Sequence, residues 1–393
     1  MSRSKSTALF ERVFGDSSGC DAFFAPGRVN LIGEHTDYNG GHVLPCALTM
    51  GTCAAVRRRD DGQLRLYSAD FPDIGVVSCP VSGILNDPAH GWANYPKGVV
   101  KVLRDDGLPV DSGFEMVVSG DMPVGAGLSS SASLEMVTAV ALSGLFSLGL
   151  EGDEGRARMA ALGQRVENSF IGVNSGIMDQ FAVALGRAGS ALFLDCATLE
   201  RRFIPLNLGE HEIILVNSNK RRTLAESNYN LRRDECERAL ADMRRAGASA
   251  SSLCDLTPEE FGRWSDAISD PVCRRRARHA VLENARVLDA ASALEAGRLD
   301  LFGKLLNESH LSLQLDYEST GRELDCIAEL AWQREECLGA RVTGAGFGGC
   351  VLAIVHRDGA EGFMRFTGER YRRYIGHDCS FFRSESGDGA RRV

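Results

Sequence analysis

The stretch "PVGAGLSSSASLE", residues 123–135, marks the point at which the chain changes from strands to helices. It follows the β-rich run "GFEMVVSG" and opens a helix that apolar residues at helical spacing predict from Ser131 to about Leu148. Its glycines and serines stand where unpaired backbone N–H groups and the helix dipole attract phosphate oxygens. A loop that only caps the helix is the alternative. Because the Walker A lysine is lacking, the pattern predicts a different kind of phosphate loop.

Outward from this stretch, the pattern predicts a strand-rich beginning of the chain and a largely helical region after it. Upstream, the runs "AAVRRR", "LRLYSAD", "IGVVSCP" and "GFEMVVSG" predict short strands cut by Gly, Pro and Asp clusters. Downstream, a second helix from Asp153 to Phe170 leads to the strand "SALFLDC", and "EIILVNSN", 212–219, begins another region. That region continues with helices across 229–336 and a final strand–helix–strand at 349–384. Because 393 residues exceed one ordinary core, we predict two domains, 1–205 and 206–393.

Composition excludes several classes of protein. The net charge of −9 argues against a nucleic-acid partner, because phosphate backbones are bound by surplus Lys and Arg. Twelve cysteines are scattered singly without a CxxC pair, which is typical of free thiols in a reducing compartment. The uncharged stretch at 136–150 is shorter than the ~20 residues of a membrane span, and the first residues lack a signal-peptide core. We therefore expect a cytoplasmic monomer without membrane or nucleic-acid partners.

A second unusual stretch, "GRVNLIGEHTDYNGG", residues 27–41, concentrates Arg28, Glu34, His35 and Asp37 between an apolar run and a glycine turn. Such a polar cluster next to the predicted buried strand "HVLPCAL" suits a ligand site. A metal site is the rival interpretation of Glu-His-x-Asp. No second His or Cys cluster completes the coordination in the sequence, which argues against metal.

Two further stretches carry candidate chemistry. In "ENSFIGVNSGIMDQ", Glu167 and Asp179 form a carboxylate pair that could hold a cation and face a substrate hydroxyl. A surface glutamate followed by an N-cap aspartate is the alternative. In "VTGAGFGGCVLAIV", 342–355, the glycines match GxGxxG, but the following residues predict a strand and not the helix of a dinucleotide-binding turn. We predict a hairpin-like turn that could approach a ligand closely, with a plain tight turn as the alternative.

Together these stretches resemble the GHMP family of small-molecule kinases. "GRVNLIGEHTDYN" is similar to a sugar-binding signature, "PVGAGLSSSAS" to the phosphate loop, "GIMDQF" to the catalytic-aspartate segment and "TGAGFGGC" to the third family motif. "WANYPKGVV", "NSNKRRTLAESNYNLRRDECE" and "HAVLENAR" extend the resemblance. It implies a two-domain α/β (α+β) fold, with an N-terminal domain like the second domain of ribosomal protein S5 and a GHMP C-terminal domain. The active site is expected in the cleft between them.

The resemblance also implies an activity and the residues that perform it. The expected reaction is Mg²⁺-dependent transfer of phosphate from ATP to the anomeric hydroxyl of galactose, as in bacterial members. It makes Asp179 the base and Arg28 the cation beside it. The implied sugar contacts are Glu34, His35, Asp37, Gly176 and Tyr229. The implied phosphate loop is Gly125, Gly127, Leu128, Ser129, Ser130 and Ser131, with Ser131 and Glu167 as Mg²⁺ ligands and Trp92 near adenine. A tryptophan of the hydrophobic core is the alternative for Trp92.

Three other functions stay open at this point. A related kinase could act on N-acetylgalactosamine, mevalonate or homoserine, although "GEHTDYN" argues against the last two. A sugar-sensing regulator on the same fold would lack the Ser-Ala pair of the phosphate loop, and Ser131-Ala132 is intact here. A generic ATP-binding module is the third. Sugar-dependent release of ADP separates all of them.

Overall fold

A computed structural model describes residues 3–123, 126–220 and 225–393. The helices are α1 (Arg3–Phe14), α2 (Asn94–Asp105), α3 (Ser130–Phe146), α4 (Gly152–Arg165), α5 (Met178–Leu185), α6 (Ala225–Arg245), α7 (Pro258–Trp264), α8 (Pro271–Glu295), α9 (Leu299–Ser312), α10 (Arg322–Trp332) and α11 (Ala360–Ile375). The strands are β1 (Asp21–Asn30), β2 (His42–Val43), β3 (Pro45–Arg59), β4 (Gln63–Ser68), β5 (Val77–Pro80), β6 (Gly113–Gly120), β7 (Ser190–Asp195), β8 (Arg201–Pro205), β9 (His211–Asn217), β10 (Cys337–Val342), β11 (Cys350–His356), β12 (Ser380–Ser384) and β13 (Arg391–Arg392).

The first sheet has the order β13-β1-β3-β6-β4-β5, and only β4 and β6 are parallel among its pairs in the described chain. Successive side chains of a strand point to opposite faces. Ala54 and Val56 of β3 accordingly join the main core with α3, whereas Ala55 joins a small cluster with α1. Helices therefore cover both faces of this sheet.

The second sheet, β10-β11-β9-β12, is antiparallel and also buried on both faces. Along β9, Ile214 and Val216 face the core shared with α6 and α8, and Ile213 and Leu215 face the opposite core. That opposite core also contains residues of β1, such as Val29. One hydrophobic cluster thus joins the two sheets, and the segment after β1 lies at their junction.

The C-terminal segment returns to the first sheet. After β12, β13 pairs antiparallel with β1, with Phe24 opposite Arg391. A small third sheet, β2-β7-β8, lies next to β3. The boundary at residue 205 stays a prediction, but residues of the second region complete the first sheet.

Most predicted elements are present. The run "GFEMVVSG" is β6, "SALFLDC" contains β7, and "EIILVNSN" contains all of β9 except its first residue. The predicted turn at 343–349 joins the antiparallel strands β10 and β11, which confirms that its GxGxxG spacing does not belong to a dinucleotide-binding turn. The helix predicted to Phe170 changes type, because α4 ends at Arg165 and a π-helical segment, Val166–Ile171, follows. None of the helices in the described ranges has the length and apolar composition needed to span a membrane.

Candidate active site

A cavity of about 240 Å³ lies at the junction of the two sheets. It brings together residues that are far apart in sequence. Its lining comprises Arg28, Glu34, His35, Asp37, Ser131, Glu167, Val173, Ser175, Gly176, Met178, Asp179, Tyr229, Gly344 and Ala345. We call it the first cavity. Every residue predicted to contact sugar lies on it, as do the predicted base and both predicted metal ligands.

Arg28 and Asp179 form the charged centre of the first cavity. Arg28 lies near the end of β1. Its Nε and Nη2 donate to the two carboxylate oxygens of Asp179, each at 2.8 Å. Its Nη1 donates to the carbonyl of Gly127 at 2.8 Å. This planar, two-bond pairing fixes the orientation of the carboxylate as well as its charge.

The described part of the phosphate loop is bonded directly to that pair. Ser129 precedes α3 in a left-handed conformation (φ 59°), and its hydroxyl donates to Asp179 Oδ2 without capping the helix. The loop is therefore more than a helix cap. The carbonyl of Leu128 accepts the backbone N–H of Arg28 at 3.1 Å, while its side chain is in the core. Gly125, predicted for the same loop, lies outside the described residues.

Both carboxylate oxygens of Glu34 bond to protein groups. Its carboxylate accepts from Asn30 Nδ2 at 2.8 Å and from the backbone N–H of Gly344 at 2.7 Å, and it pairs with Arg341. Both side chains of that ion pair are almost fully buried. Burial raises the pKa of Glu34 to about 7, against the opposing charge of Arg341.

His35 lies at the end of a buried chain of hydrogen bonds. Its Nε2 is 3.1 Å from the carbonyl of Ala345, which can only accept, so Nε2 carries the proton. Burial lowers the pKa of His35 well below its usual value, so the ring is neutral and Nδ1 accepts from the Tyr38 hydroxyl at 2.7 Å. Tyr38 in turn accepts from Tyr317 at 2.7 Å. Both ring nitrogens of His35 are therefore occupied by protein.

Asp37 approaches Gly176 so closely that this position must be glycine. A Cβ at residue 176 would lie 1.6 Å from Asp37 Oδ2, so any larger residue there would displace the Asp37 carboxylate from its present position. Burial and the charge of Asp179 raise the pKa of Asp37 to about 6. The Tyr229 ring packs 5.7 Å from the His35 ring and 5.2 Å from the Tyr38 ring, next to the same carboxylate.

Ser131 and Glu167 both line the first cavity, and the serine hydroxyl is close enough to the glutamate to influence its pKa. Burial raises the pKa of Glu167, and the side chain of Ser175 partly offsets this effect. A buried carboxylate beside a hydroxyl is a pair of hard oxygen ligands, which is the type that Mg²⁺ prefers. The side chains present therefore fit that ion.

A second cavity of about 310 Å³ adjoins the first through Ser131, which lines both. Its lining comprises Thr52, Ser68, Asp70, Phe71, Trp92, Tyr95, Val118, Ser130, Ser131 and Leu134. The predicted adenine contact, Trp92, is thus placed on it. The indole Nε1 of Trp92 is buried without a hydrogen-bond partner among the described residues.

Sequence reasoning missed several residues that shape the site. Arg341, Thr343 and Tyr317 come from the second half of the chain and bond to side chains or backbone around residues 30–38. The partners are separated by about 280 to 313 residues. No local pattern reports such a pairing, although an arginine within the apolar strand β10 was a visible anomaly.

The chain matches three sequence families: the galactokinase galactose-binding signature over residues 8–58, the N-terminal domain of GHMP kinases over 94–187 and the C-terminal domain of GHMP kinases over 290–372. A galactokinase from Exiguobacterium sibiricum is 52% identical over 385 residues, covering 98% of this chain and 97% of the relative. The crystal structure of Lactococcus lactis galactokinase complexed with galactose superposes with a TM-score of 0.96 at 44% identity, covering 99% of both chains.

A more distant structure shares the fold alone. The Methanococcus jannaschii mevalonate kinase superposes with a TM-score of 0.66 at 19% identity, covering 93% of this chain and 98% of its own. The predicted fold class is confirmed by this architecture and by the two GHMP domains. With half the residues of a full-length relative unchanged, the chain belongs to the galactokinase family of GHMP kinases.

Proposed function

We propose that the protein transfers the γ-phosphoryl group of ATP to the anomeric hydroxyl of α-D-galactose, giving galactose 1-phosphate and ADP. The observation that carries this proposal is that Ser131 lines two adjoining cavities. One contains an aspartate paired with an arginine, and the other contains a buried tryptophan suited to a base. A sugar in the first cavity and a nucleotide in the second would meet at the phosphate loop.

In the proposed reaction Asp179 accepts the proton of the anomeric hydroxyl as that oxygen bonds to the γ-phosphorus. The bond from that phosphorus to the β–γ bridging oxygen breaks, and ADP leaves. Arg28 holds the carboxylate in place and stabilises the negative charge that develops on the moving phosphoryl group. The transition state is loose, so positioning and charge supply most of the catalysis.

Sugar contacts are assigned from the geometry of the first cavity. Asp37 and Tyr229 offer an acceptor and a hydroxyl, the backbone of Gly176 lies against Asp37, and Glu34 keeps acceptor capacity after its protein bonds. Because both nitrogens of His35 are occupied, we assign to its ring a packing role against the sugar.

Phosphate contacts are assigned to the loop before α3. We propose that Gly125, Gly127, Leu128, Ser129 and Ser130 surround the phosphates with backbone N–H groups and hydroxyls. Mg²⁺ would be held by Ser131 and Glu167, where a divalent cation neutralises charge on the phosphate oxygens. Trp92 would contact adenine in the second cavity.

The direct test mixes the protein with Mg-ATP and each of galactose, glucose, N-acetylgalactosamine and mevalonate. We expect ADP release that depends on galactose and a ³¹P signal of a phosphate on the anomeric carbon. No ADP release with galactose would contradict the proposal and favour a sugar-binding regulator. Phosphorylation of mevalonate in preference to galactose would favour a related kinase.

A further inference from the structure

Helix α8 presents three buried polar side chains to the segment that carries the sugar contacts. His279 and Glu283, four residues apart, lie on one face of the helix, and Asn284 follows Glu283 on the adjacent side. The segment they meet is residues 33–42, which we call the sugar loop. It follows β1 and carries Glu34, His35 and Asp37.

Each of the three side chains bonds to backbone of the sugar loop. His279 Nε2 lies 3.1 Å from the carbonyl of Glu34, which can only accept, so this nitrogen donates. Glu283 Oε1 accepts the N–H of Gly33 at 3.0 Å, and Asn284 Oδ1 accepts the N–H of His42 at 2.8 Å. Both ends of the loop are therefore fastened to one helix.

A second layer of bonds orients these side chains. Ser312 lies 2.8 Å from His279 Nδ1, and Ser309 donates to Glu283 Oε1 at 2.5 Å. Arg286 donates to Glu283 Oε2 at 2.7 Å. Burial lowers the pKa of His279 to about 4, so at neutral pH its ring is neutral, with one donor and one acceptor that match these two partners. Buried polar groups satisfied in this way define a single arrangement.

The three residues are absent from the linings of both cavities. A loss of any of them would leave a buried backbone group of the sugar loop unpaired, and the loop would shift to recover it. The side chains of Glu34 and Asp37 would shift with it, whereas the second cavity is built from β3, β4, β6, α2 and α3. The expected consequence is thus confined to the sugar.

We propose that His279, Glu283 and Asn284 are positioning residues that set the geometry of the sugar loop from helix α8 and thereby control affinity for the sugar without contacting it. This inference rests on the proposed function, because it takes galactose as the ligand of the first cavity.

The experiment compares His279→Phe with the parent protein. Phenylalanine keeps an aromatic ring of similar size and removes the donor to Glu34. His279→Gln is the conservative variant, because its amide N–H₂ can restore that donor. Ile327→Ala is the control for lost stability, since Ile327 is fully buried in α10 and belongs to the core around α6 and α10. Galactose Kd by calorimetry without nucleotide, KM for galactose and ATP, and Tm are measured on each protein.

For His279→Phe we expect galactose Kd and KM to rise about tenfold, with ATP KM changed less than twofold and most of the loss recovered in His279→Gln. Unchanged galactose affinity would overturn the inference. The inference would also be overturned if His279→Phe raised the KM for galactose and the KM for ATP equally and Ile327→Ala, at a similar Tm, did the same. If His279→Phe does not fold, Asn284→Ala must show the same selective loss. A parent protein that binds no galactose would instead contradict the proposed function.

Discussion

At the scale of single residues, the two hydrogen bonds from Arg28 fix the orientation of the Asp179 carboxylate and also place a positive charge beside it. Asp179→Asn keeps the shape of the side chain but cannot take a proton and loses one of its two bonds to Arg28. We expect kcat to fall by at least about 10²-fold while galactose Kd changes little. Steady-state kinetics with calorimetry measure the two effects separately.

Ser129→Ala is the matched control for that variant, because it removes a hydrogen bond to Asp179 and leaves the carboxylate. Its loss of kcat should be far smaller, within about tenfold. Near-normal turnover of Asp179→Asn would remove this residue from the role of base.

Asp37 should make sugar binding depend on pH. Its pKa is raised to about 6, so the carboxylate that we propose as the acceptor of sugar hydroxyl hydrogen bonds is lost as the pH falls through this value. We expect galactose Kd, measured by calorimetry without nucleotide, to rise between pH 7.5 and 5. The pKa of Glu34 is raised to about 7, so as the pH falls its protonation should raise galactose Kd before the protonation of Asp37 does. Asp37→Asn should bind galactose more weakly and lack the step near pH 6.

The same shift has a consequence for folding. A carboxyl group whose pKa is raised in the folded protein adds to the free energy of unfolding as the pH falls through about 6, and loses that contribution above it. Asp37→Asn should therefore be more thermostable than the parent at pH 7.5, and this difference should shrink as the pH falls from about 6 towards 3.8, where the unfolded carboxyl group also takes up its proton. A galactose Kd that stays constant across this range in the parent would contradict the prediction for binding, and equal Tm values of the two proteins at pH 7.5 would contradict the prediction for stability.

At the scale of elements, two π-helical segments supply parts of the site. Val166–Ile171 extends α4 and carries Glu167, and Leu313–Tyr317 extends α9 and ends at Tyr317. Each is followed by a left-handed residue, Gly172 or Glu318. In the first segment the N–H groups after it bond back to the carbonyl of Glu167, which fixes its backbone. Such wide turns often occur at functional sites.

The first π segment leads to a prediction about the metal. Glu167→Gln and Ser131→Ala each remove one proposed Mg²⁺ ligand, so both should raise the Mg²⁺ concentration for half-maximal activity by about tenfold or more, with galactose Kd unchanged. Titrating Mg²⁺ at fixed ATP measures this. Ser169→Ala changes an exposed residue of the same segment and should behave like the parent. If Glu167→Gln and Ser131→Ala respond to Mg²⁺ as the parent does, the ligands lie elsewhere.

The local sequence pattern predicts helices and strands correctly where tertiary packing and intrinsic propensity favour the same structure. The strand β6 and the helix α3 follow from periodicity, and the placement of Glu34, Asp37 and Asp179 in one cavity agrees with the family resemblance. The π segments were not predicted, because their hydrogen bonds leave no separate periodicity in the sequence. Neither was α1, whose few apolar residues were considered only for a signal peptide. The bonds from α8 to the sugar loop join residues 242 to 250 positions apart and are a property of the tertiary fold.

At the scale of the whole molecule, residues 388–393 fasten the second half of the chain to the first. The N–H groups of Gly389, Ala390 and Val393 donate to carbonyls of Gly186, Val183 and Ala22 at 2.7, 2.9 and 3.0 Å. None of these six residues lines either cavity. These hydrogen bonds are therefore expected to contribute to the stability of the fold and not directly to ligand binding.

Removing residues 388–393 should lower the free energy of unfolding by at least about 3 kcal/mol, at about 1 kcal/mol for each of these three backbone bonds, with the loss of the β13–β1 pairing in addition. Galactose KM at 25 °C should change less than threefold. Thermal melting and steady-state kinetics check both values. The double variant Arg391→Ala, Arg392→Ala keeps the backbone of β13 and should melt close to the parent. Equal Tm values for the shortened and full chains would contradict the expectation.

The pairing of β13 with β1 can form only after almost the whole chain has been synthesised. Arg391 is added roughly 370 residues after its partner Phe24, which at 5–20 residues per second is a delay of roughly 20–70 s. Throughout synthesis the outer edge of β1 has no strand beside it, and an open edge is a template for pairing with another chain. Nascent chains stalled at residue 380 should therefore be cut by protease near β1 faster than released protein. The first strand of the chain is among the last to gain its second neighbour.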